Sequence, residues 1–117
     1  MRVAFTGGRA FRDSARVRDA IMNLTEEATT AAGLRLQVIV GDAAGADYLV
    51  RRWCQALRIP HRVYEARWAE YGRAAGPLRN QQMVEAGPDL VVAFPGGAGT
   101  ADMVRRAEAA GIPVRMA

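Results

Sequence analysis

The stretch that most limits the possible folds is Asp89-Leu90-Val91-Val92-Ala93-Phe94, which runs directly into Pro95-Gly96-Gly97-Ala98-Gly99-Thr100. A near-continuous apolar run marks a strand covered on both faces, as found at the centre of a parallel sheet. Parallel neighbours need crossover connections, usually helices, so this one strand already calls for an alternating α/β chain. The rest of the sequence supplies the alternation. Val3 to Phe5 is a short apolar run closed by Thr6-Gly7-Gly8, and Leu36-Gln37-Val38-Ile39-Val40 is another closed by Gly41-Asp42. A third strand is expected near His61 to Tyr64, after Ile59-Pro60, and a short last one at Ile112-Pro113-Val114-Arg115.

Helical signals fill the intervals. Val17, Ile21, Leu24 and Ala28 recur at three- and four-residue spacing, forming one apolar stripe. Asp13 or Ser14 can cap that helix, and Thr29, Thr30 and Gly33 mark its end. A second helix from about Ala46 to Leu57 is expected to bury Leu49, Val50, Trp53 and Leu57. Glu65 to Pro77 has poor periodicity and reads as the longest loop, carrying Trp68, Tyr71, Arg73 and Gly76. A short helix follows from about Leu78 to Ala86, and a last one from about Ala101 to Ala110. The expectation is one domain over residues 1–117, a three-layer α/β Rossmann-like fold. Its five-stranded, mostly parallel sheet would have the order 3-2-1-4-5. The first and fourth strands then lie side by side, where the loops that follow them diverge and leave a crevice.

Composition narrows the classes. A chain of 117 residues supports one hydrophobic core, and its 50% apolar and 24% charged content is that of a soluble globular protein. No apolar run approaches the roughly 20 residues that cross a bilayer. No signal-peptide stretch precedes Gly7, so a cytoplasmic location with no membrane partner is expected. The single cysteine, Cys54, excludes an internal disulfide framework and reads as core packing. His61 has no metal-ligand partner nearby and Ser14 no triad, so neither a metal nor a required cofactor is expected. The net charge of +4 favours anionic partners. Scattered arginines and few aromatic residues argue against a nucleic-acid groove. Uncovered sheet edges would suit a homo-oligomer.

Three glycine-bearing loops fall at the same end of the expected sheet, containing Gly7 and Gly8, then Gly41 and Gly45, then Gly96, Gly97 and Gly99 behind Pro95. Glycine lets a ligand approach main-chain N–H groups closely. Thr100 is expected to begin the last helix as cap or extra donor, beside amides suited to phosphate oxygens. Arg9 and Arg79 offer planar forks for phosphate or carboxylate. Asp42 and Asp47 can reach a ribose hydroxyl, or instead fasten their own turn and cap the second helix. Asn80 can bind a base edge or ribose, or cap the short helix. Trp68 and Tyr71 can stack on a base or close over the crevice, or pack the long loop or a dimer interface. The third loop lacks the lysine of a P-loop, and Gly7-Gly8-Arg9 lacks the three-glycine dinucleotide spacing.

The loop Pro95-Gly96-Gly97-Ala98-Gly99-Thr100 resembles a motif of the lysine-decarboxylase-like, cytokinin-activating phosphoribohydrolases, within the Rossmannoid SLOG superfamily. Taken with Gly7-Gly8-Arg9-Ala10-Phe11, Gly41-Asp42-Ala43-Ala44-Gly45-Ala46-Asp47, Trp68 and Tyr71 to Asn80, the chain resembles the YspA-related SLOG domains over nearly its whole length. The resemblance implies a nucleotide, nucleotide sugar or ADP-ribose-like ligand. For the hydrolytic relatives it implies an arginine before the fourth strand, matched by Arg79, and a glutamate three residues after the motif threonine. That position holds Met103, which cannot stabilise a sugar cation or act as a base. Asp102 and Asp47 are the substitute carboxylates. The expectation is a nucleotide-derivative-binding sensor or accessory module. An N-glycosidase or phosphoribohydrolase and a single-stranded nucleic-acid-binding protein are the alternatives.

Overall fold

The computed structural model describes residues 1–117, apart from the side chain of Ala32. The elements are β1 (Arg2–Thr6), α1 (Ser14–Ala32), β2 (Gln37–Gly41), α2 (Ala46–Ala56), β3 (His61–Tyr64), α3 (Trp68–Tyr71), α4 (Ala75–Glu85), β4 (Leu90–Ala93), α5 (Ala98–Ala109) and β5 (Val114–Met116). A single 3₁₀ turn, Gly72–Ala74, joins α3 to α4. The sheet has the order β3-β2-β1-β4-β5 and every pairing is parallel, so this is a Rossmann-like α/β fold. β1 pairs with β2 on one side and β4 on the other, which puts the point of divergence directly above β1.

Strand alternation divides the core into two layers. Val3, Phe5, Val38, Val40, Leu90 and Val92 meet Val17, Ile21 and Leu24 of α1 and Val50 and Cys54 of α2. The intervening Ala4, Ile39 and Val91 meet Met83 and Val84 of α4 and Met103 and Ala107 of α5. The expected α1 stripe is buried throughout, Asp13 caps the helix through a bond from the Arg16 amide, and Gly33 ends it in a left-handed conformation. Burial pushes the Cys54 thiol up to about 12, which leaves it an inert packing group.

Three sequence expectations need correction. Leu57 is exposed, because α2 stops at Ala56 and Cys54 fills the deep position instead. The stretch Glu65 to Pro77 is not one loop: it holds α3, the 3₁₀ turn and the first turn of α4. Pro77 is the third residue of α4, where its missing N–H costs no helical bond. The last helix begins at Ala98 rather than Ala101, with Gly97 as its N-cap. Among the described residues, no helix is long and apolar enough to cross a membrane.

Candidate functional site

The loops after β1, β2 and β4 are bolted to one another by main-chain hydrogen bonds. The Gly8 amide donates to the Pro95 carbonyl at 2.9 Å, and the Ala46 amide donates to the Gly8 carbonyl at 3.1 Å. Several of the glycines exist for this contact. A methyl group on Gly45 would fall on the carbonyl oxygens of Gly8 and Arg9, and one on Gly41 would fall on the Arg79 guanidinium. On Gly8 it would lie 2.9 Å from the Pro95 oxygen, and on Gly96 it would strike Thr100. Gly97 and Gly99 differ. A methyl group there meets nothing within 4 Å, and neither residue has a left-handed backbone.

Between these loops and the start of α4 lies a crevice of about 1110 Å³. Its lining includes Gly7, Gly8, Arg9, Asp47, Trp68, Arg79, Asn80, Asp102 and the run from Pro95 to Thr100. In α5 the first amide paired within the helix is that of Ala101, to the Gly97 carbonyl at 3.0 Å. The amides of Ala98, Gly99 and Thr100 therefore form the unpaired, positive end of the helix. Thr100 is thus the third helical residue, not the cap, and is 7% exposed.

Arg79 lies across the crevice floor with its side chain 11% exposed. Its Nη1 donates to Asp42 Oδ1 at 3.2 Å and lies 4.0 Å from Asp47 Oδ2, while its Nε donates to Asn80 Oδ1 at 3.1 Å. A guanidinium so engaged acts first as the counter-charge of two carboxylates. Asn80 is not a cap either. From within α4 its Nδ2 donates to the Gly99 carbonyl at 3.2 Å and to Asp102 Oδ2 at 3.0 Å, bolting α4 to α5. Asp47 is the second residue of α2, behind the N-cap Gly45, and accepts from the Ala43 amide at 3.2 Å.

The two crevice carboxylates are tuned in opposite directions. Burial pushes Asp47 up to about 6, against the pull of Arg79 and the Ala43 amide. Burial also works to raise Asp102, but hydrogen bonds from Asn80 and Arg106, with the Arg105 charge, outweigh it and hold the group below the ordinary carboxylate range. Asp47 makes stability pH-dependent with a definite sign. The folded chain keeps this proton to about pH 6, whereas the unfolded chain releases it near 3.8. Stability from this group is full below the lower value and falls as pH rises to the upper one, by about 3 kcal/mol. Asp47→Asn does not titrate. Urea unfolding of both proteins from pH 4 to 7 should show wild type losing ground to the variant across that window. Parallel curves would contradict the assignment.

Met103 has no exposure and packs with Ala4, Met83 and Val91, so it faces away from the crevice that Asp102 lines. Gly41, Asp42 and Gly45 stand behind the wall: Asp42 is held by Arg79 and by the Ala66 amide at 3.2 Å. Tyr71 lines a different hollow, with Arg67 and Glu65, and does not share the crevice with Trp68. Sequence reading missed Phe11, Ala43, Gly76, Pro77 and Arg105 in the lining. Arg105 was findable, since it follows Asp102 at the i+3 spacing of one helix face and lies 3.6 Å from it. Among the described residues, no group of three His, Cys, Asp or Glu side chains is placed to hold a metal ion.

A family model described as "YAcAr: YspA, cpYpsA-related SLOG family" matches residues 1–71. The chain belongs to this SLOG family. It is also similar to the Gene 61 protein of Mycobacterium phage D29, at 38% identity over 120 aligned residues. That alignment covers 97% of this chain and 93% of the phage protein, and so takes in the α5 loop that lies beyond the family match. In this SLOG chain the β1 and β2 loops and Trp68 fall inside the family match, whereas Arg79, Asn80 and the third glycine loop do not.

Proposed function

We propose that the crevice binds a nucleotide or nucleotide derivative, of the class of nucleoside monophosphates, ADP-ribose and nucleotide sugars. The chain would then act as a sensor or accessory module. One observation carries the reading: Gly99, in the first turn of α5, has neither a packing nor a backbone reason to be glycine, yet it lines the crevice at the open end of the helix beside the N-cap Gly97. Glycine in a helix costs up to about 1 kcal/mol relative to alanine, and the residue that would remove the cost at position 99 is not there. A phosphate brought against bare amides supplies the reason, because any side chain would hold it off.

A thermal-shift panel with AMP, ADP-ribose and a nucleotide sugar, followed by product analysis, tests the reading. Gly99→Ala is the decisive variant. Unliganded, it should melt at the wild-type temperature or a few degrees above. Its ligand affinity should fall by about tenfold, a 1.4 kcal/mol loss. No shift with any ligand, or unchanged affinity in Gly99→Ala, would sink the proposal.

A second reading rests on the opposed tuning of Asp47 and Asp102. One crevice carboxyl that keeps its proton to about pH 6 and one held ionised below the ordinary range are the two roles, acid and stabilising base, that N-glycoside hydrolysis would need. Free base released from a monophosphate by wild type and lost in Asp102→Asn would favour hydrolysis. Saturable binding without product would leave a binding module.

A further inference from the structure

The side-chain arrangement at the mouth of the crevice points to a second subsite, selective for planar heterocycles. Trp68 is 47% exposed and lines the crevice, with one face of its ring occupied by the Arg9 guanidinium, 5.3 Å from the ring centroid. Its Cη2 atom lies near Gly76, where a methyl group would sit at 3.3 Å, so the glycine makes room for the indole to lean on α4. The ring is thereby set as a platform on the same crevice as the third glycine loop.

Arg9 is held unequally at its two ends. Its backbone is fixed: Gly45 packs on its carbonyl, which also accepts from Arg12 Nη1 at 2.9 Å. Its side chain forms no ion pair among the described residues, and its contact is the indole face. A cation over an exposed ring is held more weakly than a nucleobase stacks on an aromatic side chain. A cation with no carboxylate partner also gains a charge-assisted bond on meeting a phosphate. Because Gly8, next to Arg9, is bonded to Pro95, the arm pivots beside the phosphate-binding end of the crevice.

We infer that Arg9 caps Trp68 in the empty protein and that a ligand carrying both an aromatic base and a phosphate displaces it, the base taking the indole face and Arg9 turning to the phosphate. Ligands without a base would use the glycine loop and leave the indole face unchanged. This rests on the nucleotide reading above and names the part of the ligand that sets affinity.

The test compares AMP with ribose 5-phosphate. Trp53→Phe leaves Trp68 as the one indole, since the chain has two tryptophans. AMP should quench its emission saturably, and ribose 5-phosphate should bind, by thermal shift, with little quenching. Trp68→Ala, at a half-exposed position, should weaken AMP by tenfold or more and ribose 5-phosphate by less than twofold, with folding of the variant checked by its melting temperature. Arg9→Ala should weaken AMP by about tenfold and ribose 5-phosphate by less than twofold, and should make the indole more accessible to iodide before ligand is added. Equal loss of both ligands in Trp68→Ala, or AMP binding that leaves Trp68 emission unchanged, overturns the subsite while the nucleotide reading stands. Failure of both ligands to bind wild type overturns the two together.

Discussion

Replacing Arg79 by alanine is expected to destabilise the protein by roughly 3–5 kcal/mol, the range for removing one member of a buried ion pair. For a chain of this length, that lowers the melting temperature by on the order of 12–20 °C. The guanidinium is the shared partner of Asp42, Asp47 and Asn80, and its side chain is 11% exposed. Without it, Asp47 keeps its burial and loses the largest of the influences that lower its pKa. The carboxyl then holds its proton to higher pH, so the deficit should shrink between pH 7 and pH 5. Chemical denaturation at the two values reads this directly. A deficit below about 1 kcal/mol, or one independent of pH, would mean that water replaces the arginine and that Arg79 is free to serve a ligand instead.

Gly45→Ala is expected to be nearly as costly, at about 3 kcal/mol or more, because two penalties fall on one residue. Its φ of +75° is one that L side chains rarely adopt, and the added methyl lands on two backbone carbonyl oxygens that cannot rotate away. Gly33 separates the penalties. It has a φ of +62° with nothing within 4 Å, so Gly33→Ala should cost only the backbone strain, about 1–2 kcal/mol. The melting temperatures of the two variants should differ by several degrees, with Gly45→Ala the lower. Gly45→Ala should also lose AMP affinity, since the Gly8 and Arg9 carbonyls must move. Equal melting points would show that the three loops are less tightly joined than their contacts imply.

The fold was legible because each strand carries its own address. Uninterrupted apolar runs at Val38 to Val40 and Leu90 to Phe94 cannot be surface strands, and the helical stripe from Val17 to Ala28 leaves no other layer for α1. The errors have local causes. Gly97 and Gly99 have such low helix propensity that the α5 start at Ala98 is hidden in them. Gly76-Pro77 reads as a break, although proline suits a first turn. The site was legible only as a region. Asp42 and Arg79 are 37 residues apart, and no spacing announces that they pair. The same holds for Asn80, whose partners Gly99 and Asp102 belong to a different helix. Arg79 and Asn80 line the crevice, but their bonding, which turns both toward holding the walls, was out of reach of the sequence.

The two kinds of glycine in these loops set opposite courses for laboratory evolution. A library selected for heat resistance alone should keep Gly8, Gly41, Gly45 and Gly96, because each leaves no space for a side chain. The same selection should readily replace Gly99 with alanine and Gly97 with serine or aspartate, which are better helix residues and caps. The descendants would be hardier and would have filled the open end of α5. On the proposed function, stability and ligand capture compete at Gly97 and Gly99, two positions of one helix turn, and such a library would show it as a rise in melting temperature paired with a loss of AMP affinity.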